Sequence, residues 1–244
     1  MVSTLSRSRK IALLFAAGLF YVGTVWSADH MQIRNIMIES QLAQVETTAV
    51  LMVGDSIVES WLIGPAGPCQ VINAGLGGGG VLNVITLLHE LKQKSNRAKL
   101  SGIVVAIGVN DARRRDLSPN YVAKWKNDYA EMINLALQLN SRVVVSTILP
   151  VEENMPLGTK YFDPILIGQL NTSIRQVAKE KNVRLIDTNK IFLNAIQKKH
   201  FTVDGVHLTP DSYKIFTNTL MQGMPVNCRS AALEQKPLGS ALPN

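Results

Sequence analysis

Five short runs dense in Val, Ile and Leu recur along the chain, at Ala49–Gly54, Gln70–Ala74, Gly102–Gly108, Arg142–Leu149 and Val183–Asp187. Between them lie longer segments whose apolar residues return with a helical period, as in Tyr121–Leu139 and Pro164–Lys181. Runs that are apolar on both faces, alternating with amphipathic helices, specify a parallel sheet covered on each side. Two helix starts are marked. Ser118-Pro119 reads as an N-cap and first helical residue before Tyr121, and Thr209-Pro210 reads the same way before Tyr213–Met221. Residues 29–48 read as an amphipathic lead-in helix ahead of the first strand. A polar Pro/Gly loop, Pro150–Phe162, follows the fourth run, and the polar tail beyond Gly223 reads as loosely ordered.

This organisation predicts a single α/β domain over residues 49–228, a flavodoxin-like three-layer α/β/α sandwich on a five-stranded parallel sheet, with 229–244 as a flexible tail. A chain of 244 residues, 46% hydrophobic and 18% charged, suits one such domain with a small appendage. The appendage lies at the start. Arg7, Arg9 and Lys10 precede an uncharged stretch from Ile11 to Trp26, and Ser27-Ala28 follows. Residues 1–28 therefore read as a signal peptide with Val25-x-Ser27 as cleavage site, or as an N-terminal membrane anchor, since Trp26 spoils that site. As a span the stretch is short of the ~20 residues a bilayer core needs. Either reading implies export, to the periplasm or beyond. The net charge of +7 includes those three basic residues, so the remainder is only mildly basic. It has no Lys/Arg stripe interleaved with aromatics, and no nucleic-acid partner is expected. Cys69 and Cys228 are an even number in an oxidising compartment and so are disulfide candidates; otherwise they are two small buried hydrophobes.

Ligands in such sheets sit beyond the carboxyl ends of the strands, which directs attention to four short blocks. Gly54-Asp55-Ser56 follows the first run, Asn73-Ala74-Gly75-Leu76-Gly77-Gly78 the second and Gly108-Val109-Asn110-Asp111 the third, with Asp204-Gly205-Val206-His207 near the end. Together they fill the roles of acyl transfer, which needs a nucleophile, a base, a group orienting the base and donors for an oxyanion. Ser56 sits on a tight strand-to-helix turn as nucleophile. His207 is the base, and Asp204 orients it from three residues away in the same loop. The N–H groups of Ser56 and Gly78 and the amide of Asn110 are the oxyanion donors. Each block also has a plainer reading. Ser56-Ile57-Val58-Glu59 matches a capping box, Asn110-Asp111 a turn and Asp204-Gly205 a β-turn.

At these residues the chain resembles the SGNH (GDSL-type) hydrolases, a family of esterases and lipases, from about Ala49 to Gly223. The resemblance implies the sheet order 2-1-3-4-5, with Ser56, Asp204 and His207 as triad and Gly78 and Asn110 as oxyanion donors. Gly75 and Gly77 lie close to Gly78, and the spacing Asn-x-x-x-x-Gly favours Gly78. In that topology Cys69 and Cys228 fall together at the end opposite the active site. No cofactor or metal is implied. His30, His89, His200 and His207 are scattered, and Gly75-x-Gly77-x-x-Gly80 lacks the acid a dinucleotide site needs about 20 residues on. His200 lies near the catalytic loop in sequence, within reach of the pocket. Arg113, Arg114 and Arg115 follow Asn110 and are expected on the substrate rim, where an arginine would hold an anionic group. Asn171-Thr172-Ser173 fits a glycosylation sequon but lies in a helical pattern.

The expected activity is hydrolysis of a small-molecule or polysaccharide ester, with removal of short O-acetyl groups from carbohydrate preferred. The alternatives are a lysophospholipase, thioesterase or arylesterase, a sugar O-acetyltransferase, and a non-catalytic carbohydrate-binding module of the same fold. The sequence leaves the oligomeric state open.

Overall fold

The structure, a computed structural model, describes residues 30–62, 69–93, 100–195, 200–223 and 228. The leader 1–28 and the tail 229–244 anticipated above lie outside the described residues. Among the described residues no helix is long and apolar enough to cross a membrane.

Five strands, β1 (Ala49–Gly54), β2 (Gln70–Gly75), β3 (Leu100–Ala106), β4 (Val143–Ser146) and β5 (Arg184–Ile186), form one parallel sheet in the order 2-1-3-4-5. β1, with all six residues buried, lies inside the sheet between β2 and β3, while β5 at one edge has none fully buried. The helices are α1 (30–43), α2 (Ser56–Glu59), α3 (Val81–Gln93), α4 (Tyr121–Leu139), α5 (Gly158–Tyr161), α6 (Pro164–Glu180), α7 (Thr188–Ala195) and α8 (Pro210–Met221). The step from β1 to β2 runs one way along the sheet and the later steps the other, so right-handed crossovers send their helices to opposite faces. α3, α4 and α6 pack side by side. α2, α7 and α8 meet through the aromatic cluster Trp61, Phe192 and Phe216, with the Trp61 indole N–H donating to Thr217 at 2.8 Å.

Several boundaries differ from those read in the sequence. The lead-in helix ends at 43, not 48, and Ile38, Leu42 and Val45 anchor it to the core. α4 starts from Asn120 rather than Ser118, whose hydroxyl donates to the Asn120 side chain. β4 stops at Ser146, well short of Leu149. Beyond it the Asn171 amide takes both polar groups of Ile148, accepting from its N–H at 2.7 Å and donating to its carbonyl at 3.0 Å, as a neighbouring strand would. That buried role removes Asn171 from consideration as a glycosylation site. Thr209 caps α8 as expected, accepting from Ser212 N–H with Pro210 in the first turn. Cys69, entering β2, and Cys228 form a disulfide with Cα atoms 5.0 Å apart, at the amino end of the sheet.

Candidate active site

The blocks at the carboxyl ends of β1, β2 and β3 converge with the loop before α8. Asp55, not Ser56, caps α2: its carboxylate accepts from Ile57 N–H at 3.0 Å. This overturns the capping-box reading and leaves the Ser56 hydroxyl on the first helical residue, 2.8 Å from His207 Nε2. Asp204 Oδ2 lies 2.6 Å from His207 Nδ1. A carboxylate only accepts, so Nδ1 carries the hydrogen and Nε2 is left to accept from Ser56. Asp204 Oδ1 also accepts from the N–H groups of Val206 (2.9 Å) and His207 (2.8 Å). Partial burial raises the Asp204 pKa, but the hydrogen bonds from the His207 ring and these two N–H groups outweigh it, and the net effect is a lowering.

The loops that carry Gly78 and Asn110 are joined where Asn110 Nδ2 donates to Gly79 O. Among the loop glycines, the Gly75 N–H donates to Asn73 Oδ1, Gly77 to the Glu59 carboxylate, Gly79 to Leu76 O and Gly80 to Asn83 Oδ1. That leaves Gly78 as the loop glycine whose N–H has no partner among the described residues. Its φ of +74° is open to glycine at little cost, and nothing lies within 4 Å of where a Cβ would stand. Asn110 is buried on a 3₁₀ turn, Asn110–Ala112, its Nδ2 donating to Gly79 O at 3.0 Å and its Oδ1 accepting from Arg113 Nη2 at 2.9 Å. Asp111 caps α3 through Val81 N–H. Burial raises both Asp55 and Asp111 to about 6, and their mutual repulsion adds to the rise at Asp55.

The arginine triplet divides. Arg114 donates through Nε to Thr159 O at 2.7 Å and lies 3.7 Å from Asp163, while Arg115 donates to the Tyr121 hydroxyl at 2.9 Å and covers its ring. Of the three, Arg113 is the one that meets Asn110, the expected oxyanion donor.

Four residues have supporting roles that the sequence does not announce. Asn73 donates to Val58 O (2.7 Å) and Trp61 O (3.0 Å), tying α2 to the end of β2. Glu59 holds Gly77, and α1 holds Glu59 through His30, 3.1 Å away, and Arg34 at 3.8 Å. Arg34 also donates to the carbonyls of Gly75 (3.1 Å) and Asn73 (3.0 Å), so α1 braces the glycine loop after β2. Buried Glu152 accepts from Thr202 N–H at 2.8 Å and from its hydroxyl, pinning the loop that carries Asp204 and His207. His200, mostly exposed, lies 3.0 Å from the same carboxylate rather than against Ser56.

A family model described as the GDSL-like Lipase/Acylhydrolase family matches residues 52–215. The chain belongs to this family. As a GDSL-like acylhydrolase it is a carboxylic ester hydrolase. No curated protein matches it in sequence. Among solved structures it is similar to a Streptococcus pneumonia protein provisionally named a platelet activating factor, at 19% identity and TM-score 0.71, covering 84% of this chain and 98% of that one. It is also similar to the lipase/acylhydrolase from Enterococcus faecalis (20%, TM-score 0.59, 72% and 94%). A third is an acetyl xylan esterase from Geobacillus stearothermophilus (18%, TM-score 0.55, 73% and 96%). At these identities the likeness is one of fold.

Proposed function

We propose that this acylhydrolase is an exported serine esterase that removes short acyl groups, foremost O-acetyl groups, from carbohydrate. The observation that carries the catalytic part is the continuous hydrogen-bonded line from Ser56 through His207 to Asp204. Ser56 Oγ attacks the ester carbonyl as His207 Nε2 takes its proton, and Asp204 stabilises the imidazolium. The oxyanion accepts from the N–H groups of Ser56 and Gly78 and from the second N–H of Asn110 Nδ2. Collapse of the tetrahedral species expels the alcohol, which takes the proton from His207. Water, deprotonated by the same ring, then attacks the acyl-enzyme and releases the acid. All of these steps use the chain's own side chains and backbone N–H groups, with water.

The acetyl preference is supported by analogy with the acetyl xylan esterase fold and is a reading of substrate class only. Export is supported by the basic and apolar leader pattern of residues 1–28 together with the Cys69–Cys228 disulfide, which needs an oxidising compartment.

The test is hydrolysis of p-nitrophenyl esters from acetate to palmitate, followed by acetylated polysaccharide, with wild type and Ser56→Ala. Ser56-dependent turnover highest on acetate is expected. A preference for long chains would transfer the substrate to lipids, and Ser56-independent turnover would remove the proposed nucleophile.

A further inference from the structure

We propose that Arg113 is a positioning residue of the oxyanion hole, setting the orientation of the Asn110 amide and strengthening it as a donor. This rests on the hydrolase reading of the site and adds to it a residue that touches neither ester nor nucleophile.

An amide side chain can turn over, exchanging its oxygen and nitrogen, and only one orientation donates to an oxyanion. Two contacts select that orientation. Gly79 O can only accept, and it takes a hydrogen from Asn110 Nδ2 at 3.0 Å. The Arg113 guanidinium can only donate, and it gives one to Asn110 Oδ1 at 2.9 Å. Turning the amide over would set oxygen against the carbonyl and nitrogen against the guanidinium, so both contacts would become repulsive. Gly79 alone fixes one edge of the amide. Arg113 fixes the other.

The charge adds a second effect. A guanidinium stays ionised at any working pH, and hydrogen bonds from a cation are stronger than neutral ones. Drawing electron density toward Oδ1 makes the Nδ2 hydrogens better donors, since hydrogen bonds in series polarise one another. The guanidinium is itself held in place: it lies 5.8 Å above the Phe162 ring, and a backbone bridge joins Arg113 to Phe162. Asp163 N–H donates to Ala112 O at 2.9 Å and secures the same junction. Arg114 and Arg115 are engaged on other partners and cannot substitute for it.

A substrate anchor and a positioning residue make different predictions. The experiment compares Arg113→Met, Arg113→Lys, Asn110→Ala and the Arg113→Met/Asn110→Ala double variant of the full chain. The substrates are neutral p-nitrophenyl acetate and anionic mono-p-nitrophenyl succinate, and the rate at which a fluorophosphonate modifies Ser56 is followed in parallel. Arg113→Met is expected to lower kcat on both esters about tenfold with KM nearly unchanged, against the roughly 100- to 1000-fold loss for removing the donor itself. Arg113→Lys, which keeps charge without the planar fork, is expected to recover part of the loss. In the Asn110→Ala background Arg113→Met is expected to cost nothing further. Phosphonylation is expected to slow in the same order.

Wild-type kcat in Arg113→Met, or a loss that multiplies with that of Asn110→Ala, would overturn the proposal. So would a rise in KM confined to the anionic ester, which would make Arg113 an anchor for substrate charge. A wild-type chain whose Ser56 reacts with neither ester nor phosphonate would fail the hydrolase reading itself. Melting temperature separates all of these outcomes from a variant that has not folded.

Discussion

Removing the Cys69–Cys228 bond provides a measure of how much of the fold's stability comes from joining its ends. The two cysteines are 159 positions apart, so the bridge closes nearly the whole domain into a loop. In the chain-entropy description a loop of roughly 160 residues restricts the unfolded chain by about 5 kcal/mol, the upper end of what disulfides contribute. For a domain of this size each kcal/mol moves the melting temperature by about 2–4 °C, so the double variant Cys69→Ala/Cys228→Ala is expected to melt roughly 10–20 °C below the oxidised wild type. Scanning calorimetry with and without a strong reductant is the assay. Reductant is expected to bring wild type down to the double variant and to leave the double variant unmoved. Because the bridge lies at the amino end of the sheet and Ser56 beyond the carboxyl end of β1, kcat below the lower melting temperature is expected to be unchanged. A drop smaller than about 1 kcal/mol would refute the argument from loop length, since the unfolded chain would then have been restricted without the bond. A reductant effect persisting in the double variant would refute the assignment of the effect to this bond.

Asp55 and Asp111 bind protons more tightly in the folded chain, at about 6, than in the unfolded one, near 3.8. Their contribution is thus fully present below about pH 4 and lost as pH rises through 6, on the order of 3 kcal/mol per carboxyl at most. Asp204, shifted downward, acts only at lower pH, so melting temperature should rise from pH 7 to pH 5, and less so in Asp55→Asn. A flat profile over that window in wild type would contradict this. Asn73→Ala strands the Val58 and Trp61 carbonyls and the Gly75 N–H, at a cost on the order of 3 kcal/mol by urea denaturation, with kcat falling more than KM changes. An unchanged urea midpoint would show that water replaces the amide. Gly205 stands at φ +101°, and an added Cβ would come within 2.4 Å of Gly158 N, so Gly205→Ala should displace the Asp204–His207 loop and depress kcat at least tenfold. Wild-type kcat in a folded Gly205→Ala protein would sink that reasoning.

The sheet was legible because each strand is a continuous apolar run, and buried parallel strands leave that signal in the sequence. Its ends were less so. β4 stops at Ser146 because a side chain from α6, Asn171, takes the place of a partner strand, and no local pattern announces that substitution. Ser56, Asp204, His207 and Asn110 could be picked out because each lies in a short block whose chemistry is visible at close range. Asp55 and Ser56 are both good cap residues, and adjacency alone could not separate them; the difference is that the Ser56 hydroxyl faces His207. Arg34 and Glu152 were missed for a common reason. Arg34 acts on Gly75, 41 positions away, and Glu152 on Thr202, 50 away, so their roles exist only once the chain has folded. The plainer capping-box reading of Ser56 and Glu59 was local, whereas Glu59's actual partners are Gly77 and α1.

The glycine loop after β2 is braced by Arg34, near the start of the described chain, while His207, the proposed base, sits 151 positions after Ser56. A ribosome that has released everything through α7 has therefore released a nucleophile with a braced loop and no base. The hydrogen-bonded line from Ser56 through His207 to Asp204 can form only when the last block is in place. The order in which the residues are made thus joins the two halves of this line last.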